Sequence, residues 1–167
     1  MSQKALLIEA TKYVEQLSRS IAENAMPYFA DSLARLNGES SRINKFPNHP
    51  GVYVIMRKVL PKDGYRYKGI ETIESPLILY VGKTTAKRSI KARLVDHFGG
   101  LKPNYQSSQF RKFIYQVCQD DEAVKNIVWS ENTLIATVSI EEPDEVIDCV
   151  EKLAMQVFRP RFNIKDR

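Results

Sequence analysis

Two short runs, Gly51-Val52-Tyr53 and Tyr80-Val81-Gly82-Lys83, each set a phenol close to a glycine, and the second adds an ammonium at once. Arg93 and His97 follow four positions apart, which on a helix puts a guanidinium and an imidazole on one face. Glu151 and Asn163 come last. A phenol, with its pKa of about 10, serves as a base only where cationic charge lowers that value. A guanidinium forks around phosphate oxygens better than an ammonium does. One carboxylate is enough for Mg²⁺, which keeps several waters and takes phosphate oxygens as further ligands. The set is equipped to move a proton and to stabilise a developing anion.

These groups need elements to hold them. Periodicity predicts an amphipathic helix from residue 3 to about 24, through Leu6, Leu7, Ala10, Val14, Leu17 and Ile21. Pro27 is placed to open a second short helix through Leu36, stopped by Asn37-Gly38. The polar stretch from Gly38 to Pro50 reads as a linker. Residues 1–46 are therefore expected to form a helical arm and linker, and residues 47–167 the core. In that core, strands are predicted over Val52–Leu60, Leu77–Val81 (ended by Gly82) and Thr133–Ile140. Between the first two, Lys62-Asp63-Gly64 turns and Tyr65–Ile73 is an insertion able to complete a hairpin. Helices are predicted over Ala86–Phe98, with Ile90, Leu94 and Phe98 inward, over Gln109–Cys118, and over Asp144–Val157. The fold class is α+β, with helices on a small sheet.

Composition narrows the function classes. At 167 residues, 43% hydrophobic and 27% charged, the chain has the make-up of one globular domain rather than of a disordered segment. Cys118 and Cys149 form no CxxC pair, which excludes a zinc ribbon and points to a reducing compartment. The longest apolar run, Leu77–Val81, is too short for a membrane helix, and Ala5–Ile8 is too short for a signal-peptide core. A cytoplasmic protein without membrane contact is expected. Gly82-Lys83-Thr84 lacks the partner glycine of a phosphate-binding loop, which excludes a P-loop NTPase. Residues 83–112 carry eight basic groups against the single acid Asp96, whereas residues 113–151 carry only Lys125 against ten acids. The basic block suits a polyanion, and the acidic one suits a face turned away from it.

The ordered set resembles the GIY-YIG nucleases. Gly51-Val52-Tyr53 is similar to that family's first motif and Tyr80-Val81-Gly82 to its second. Arg93 matches the helical arginine, Glu151 the metal-binding glutamate and Asn163 the closing asparagine, in the family's order across residues 47–163. The resemblance implies an α/β sandwich around a three-stranded antiparallel sheet, to which the periodicity of residues 3–24 adds an N-terminal helical extension. It also implies divalent-metal hydrolysis of DNA phosphodiesters, with Mg²⁺ held by Glu151 and Mn²⁺ as a substitute. Compact members separate the two motifs by about ten residues, and here 26 separate Tyr53 from Tyr80. That insertion, the Arg93 and His97 pair and the Glu151, Pro160, Asn163 spacing look most like the family's restriction endonucleases.

On that reading Tyr53 is the general base, its phenol lowered by Lys83 and the metal, and Tyr80 orients the water or shares the base role. Arg93 clamps a phosphate oxygen. His97 is a proton donor, a phosphate ligand or a packing group, and Asn163 fixes backbone near the site. Lys87, Arg88, Lys91, Lys102, Arg111 and Lys112 are candidate DNA contacts, as are Arg66 and Lys68, which alternate with Tyr65 and Tyr67 in the insertion. The expected function is a restriction or defence endonuclease. The alternatives are a structure-specific repair or recombination nuclease and an inert DNA-binding module of the same fold. Cutting both strands of a palindrome would call for a homodimer, with Leu6–Leu36 as its contact or as a DNA-clasping arm.

Overall fold

The computed structural model describes residues 1–27, 46–57, 77–98, 108–118 and 133–163. Along them run helix α1 (Gln3–Glu23), strands β1 (Met26–Pro27), β2 (Gly51–Arg57) and β3 (Leu77–Thr84), helices α2 (Ile90–Phe98) and α3 (Gln109–Cys118), strand β4 (Thr133–Ser139) and helix α4 (Asp144–Phe158). The fold is α+β. Its sheet is antiparallel throughout, in the order β1-β4-β2-β3.

The sheet has four strands where three were expected. The additional one is Met26–Pro27, which pairs with Ile135 and Leu134 at the β4 edge. Pro27 therefore occupies an edge strand rather than a helix start, a position where its missing N–H costs least. The rest of the expected second helix, and the insertion with Arg66 and Lys68, lie outside the described residues, as does Lys102.

β2 is the central strand and is buried along its whole length, because helices cover both faces of the sheet. The alternation of a strand sorts its side chains. Val52, Val54 and Met56 face one cluster with α1 and α4, through Ala10, Val14, Leu17, Val146, Ile147 and Val150. Tyr53 and Ile55 face the other, with Ile90, Leu94 and Phe98 of α2 and Phe110 and Phe113 of α3. The N-terminal helix is thus packed into the core layer beside α4. Ser2 caps it by accepting from the Ala5 amide at 3.2 Å.

Gly82 does not end β3, which continues through Lys83 to Thr84. A bulge where Ile55 and Met56 face Tyr80 and Ile78 lets the successive residues Leu79 and Tyr80 join the same cluster. The outer edge of β3 is covered by the chain leaving α4. Arg159 closes that helix in the left-handed conformation (φ 48°), and Pro160 follows. The amides of Arg161 and Phe162 then donate to the carbonyls of Ile78 and Leu79 at 3.1 and 2.8 Å. Among the described residues no helix is long and apolar enough to cross a membrane.

Candidate active site

The site grows from the β2–β3 pairing. Tyr53 sits opposite Gly82 and Ile55 opposite Tyr80, so the two phenols lie diagonally on one face, ring centroids 6.3 Å apart. Gly82 is required by this approach: a Cβ there would stand 2.3 Å from Tyr53 Oη and 2.4 Å from its Cζ. The Tyr53 ring lies over the bare backbone, and its oxygen reaches α2.

On α2, His97 is fully buried and presents Nε2 to Tyr53 Oη at 2.6 Å. Its other ring nitrogen, Nδ1, is 2.8 Å from Ser108 Oγ. Ser108 precedes α3 and caps it, accepting from the Arg111 amide at 3.1 Å. His97 also lies 5.6 Å from the Tyr80 ring and 5.8 Å from Phe110, centroid to centroid. The helix start is fixed by the loop before β2, whose Pro47 and His49 carbonyls accept from Lys91 and Ile90.

Arg93, partly buried one turn before His97, acts on Tyr53 by charge and by hydrogen bonding. Asp96 stands between two arginines, 2.6 Å from Arg88 and 3.4 Å from Arg93. Burial pushes the Tyr53 phenol well above its ordinary value, Tyr80 adds to the rise, and Arg93 opposes it. This reverses the lowered pKa expected for a base, because desolvation outweighs the cation. Burial likewise holds the His97 imidazole well below its ordinary value, with Arg93, Arg111 and Arg88 acting in the same sense. Both partners of the 2.6 Å contact are thereby held neutral.

Lys83 does not supply the field expected at Tyr53. It follows Gly82 by one residue, and a strand turns successive side chains to opposite faces. Its ammonium lies 2.8 Å from Asp148 and 3.0 Å from Glu151, one turn apart on α4. Burial acts to lower the Lys83 pKa, and the bonds to Asp148 and Glu151 overcome that and raise it. Glu151 still acts on Tyr53 through charge, adding to the rise of its pKa.

Asn163 clamps β3 at Val81, between Tyr80 and Gly82. Its Nδ2 donates to the Val81 carbonyl at 2.8 Å, and its Oδ1 accepts from the Val81 amide at 2.9 Å. The two bonds tie the residue after the α4 exit to the backbone of β3. Arg111 is withdrawn from the expected DNA contacts. It is fully buried, and its Nε donates to the His97 carbonyl, satisfying a group that the end of α2 leaves open. Lys87 and Arg88 are exposed, and Lys91 and Lys112 partly so. Three residues were missed from sequence: Ser108, Asp96 and Asp148. Each had a signal, as a cap before an apolar helix, as the one acid in a basic block, and as the acid three residues before Glu151.

A divalent ion tests the carboxylates. Among the described residues no group of three His, Cys, Asp or Glu forms a cage. What the fold offers is Glu151 with Asp148 beside it, and the Lys83 ammonium between them marks a place that favours a cation. This donor set fits an ion that needs one or two carboxylates and takes the rest from water and phosphate. No family model, curated protein or solved structure matches this chain.

Proposed function

We propose that this chain is a divalent-metal-dependent DNA endonuclease of the GIY-YIG kind, most like its restriction members. The observation that carries the reading is the convergence of Tyr53, Tyr80, Arg93 and His97 on one face of β2 and β3, with Glu151 acting on Tyr53 through its charge. Glu151, with Asp148, would hold Mg²⁺ or Mn²⁺, which supplies charge for a phosphate oxygen when bound. Arg93 holds a second phosphate oxygen, steadied by Asp96. Tyr80 keeps 7% of its surface exposed while Tyr53 is sealed, so Tyr80 meets the water and Tyr53 stands behind it on His97. The exposed and half-exposed cations Lys87, Arg88, Lys91 and Lys112 then carry the DNA backbone.

The test is incubation with plasmid, single-stranded and branched DNA, with and without Mg²⁺. Discrete plasmid fragments that require the metal support a restriction-type enzyme. Cutting confined to branched substrates moves the reading to a repair nuclease, and two-strand cuts call for a dimer visible by sedimentation. Binding without any cutting, in Mg²⁺ or Mn²⁺, overturns the enzyme and leaves a DNA-binding module.

A further inference from the structure

We infer that Lys83 is the resident cation of the carboxylate pair on α4, and that a divalent ion enters between Asp148 and Glu151 only by displacing its ammonium. The placement begins in the sheet. Lys83 pairs with Val52, whose side chain belongs to the layer of α1 and α4, so Lys83 stands on the α4 side of β3. Asp148 and Glu151 lie three residues apart on α4, neighbours on one helix face, where two like charges disfavour each other. The ammonium answers both, 2.8 Å from Asp148 Oδ1 and 3.0 Å from Glu151 Oε2. The Glu151 side chain is 17% exposed and the Asp148 side chain 47%, so the pair lies at a rim that an ion reaches from solvent.

An ion bonded at about 2.0–2.6 Å to either of these two oxygens stands within about 6 Å of Nζ, a range in which like charges disfavour one another. Two cations therefore compete for the same oxygens. Of the two, the ammonium is the one built to leave. It rides on a flexible four-carbon stem, and the Lys83 side chain is already 31% exposed. The backbone beneath it is fixed, by the pairing of Lys83 with Val52 and by the Asn163 bonds to Val81 two residues before. The exchange is thus a swing of one side chain, with the sheet unmoved. The resident ammonium also sets the strength of the site. An entering ion has to offset two partly exposed ion pairs, together worth about three- to thirtyfold in affinity.

The proposal deepens the nuclease reading and rests on it for the metal. The experiment titrates the whole protein, without DNA, with Mn²⁺ and follows the free ion by electron paramagnetic resonance. Lys83→Met should tighten Mn²⁺ binding by about three- to thirtyfold. Lys83→Gln, which keeps a neutral donor to the two carboxylates, should shift it in the same direction and serves if the Met variant does not fold. Lys152→Met removes the same charge from the exposed residue beside Glu151 and should change the affinity by less than about twofold. Adding Glu151→Gln to Lys83→Met should abolish the gain, which ties the ion to this pair. In the unaltered protein, Mg²⁺ at constant ionic strength should raise acylation of Lys83 by a water-soluble ester, read by mass spectrometry, and leave that of Lys152 level. Equal or weaker Mn²⁺ binding in a folded Lys83 variant overturns the inference, as does a gain that Lys152→Met matches or labelling of Lys83 that Mg²⁺ leaves unchanged. Absence of Mn²⁺ uptake by every form overturns it together with the metal site. Exchange as expected, with no DNA cleaved in Mg²⁺ or Mn²⁺, overturns the nuclease reading alone.

Discussion

Gly82→Ala puts the geometry of the site under direct strain. The new methyl group would meet Tyr53 Oη at 2.3 Å, Tyr53 Cζ at 2.4 Å and Tyr80 Cε1 at 2.8 Å, where ordinary contact begins near 3.4 Å. The Tyr53 ring has to retreat by about 1 Å, and its 2.6 Å contact with His97 is lost. Overpacking of this kind costs about 1–3 kcal/mol. A buried His97 nitrogen left without its partner costs about 1–3 kcal/mol more. At roughly 2–4 °C per kcal/mol for a domain of this size, the melting temperature should fall by about 10 °C. Thermal unfolding by circular dichroism measures it. The decisive control is the same substitution in a Tyr53→Leu background, where the shorter side chain no longer lies over the glycine and the added cost should drop below about 1.5 kcal/mol. A cost equal in both backgrounds would refute the placement of Tyr53 over Gly82. In a cleavage assay Gly82→Ala should lose about 10²-fold, the usual consequence of a reacting group displaced by an ångström.

Glu151→Gln should abolish Mg²⁺-dependent cleavage while DNA affinity, followed by fluorescence anisotropy, stays within a few-fold; robust cutting would remove Glu151 from the metal site. Because His97 is depressed below its ordinary value of about 6.5, the unfolded chain binds its proton first as pH falls. Its contribution is therefore complete above about pH 6.5 and is lost below it, at up to about 1.4 kcal/mol per pH unit, and His97→Gln should flatten that acid limb in urea titrations. Charge reversal at Lys87 or Lys91 should weaken DNA binding and reduce its salt slope by about 1–2, whereas Arg111→Gln should lower stability without a specific effect on that slope.

How much of this was legible in the sequence depends on range. The β-branched runs around Tyr53 and Thr137 and the periodicity of Ile90, Leu94 and Phe98 are local, and the structure has strands and a helix there. Gly82 misled because a glycine after an apolar run signals a strand end, when here it is a gap that a ring from the neighbouring strand fills. The register that brings Tyr53 to Gly82 is a long-range property, and nothing local encodes it. Met26–Pro27 was missed as a strand because two residues have no period, and only β4 makes them one. Arg111 shows the limit of counting charge: it belongs to the basic block by composition and to the core by position, since the α2 carbonyl it satisfies is visible only once α2 and α3 are packed.

The N-terminal helix belongs to the core by packing. As a dimer contact or a DNA-clasping arm, Leu6–Leu36 would, on deletion of residues 1–36, cost two-strand cutting more than nicking. Ala10 and Leu17 are fully buried and Val14 nearly so, against α4 and the sheet face that carries Val52, Val54 and Val138. Removing α1 exposes that face, and burial of even three such side chains is worth several kcal/mol, a large part of a domain's net stability. Deletion should therefore cost solubility and cooperative unfolding together, and nicking should disappear with two-strand cutting. The informative variant is one that alters the outer surface of α1, where Leu7 and Ile8 are about half exposed (53% and 52%), and leaves the inner stripe intact. Leu7→Lys with Ile8→Lys should leave the melting temperature within a few degrees. If it also turns double-strand breaks into nicks and halves the sedimenting mass, α1 carries the dimer contact; unchanged cutting and mass confine α1 to the core.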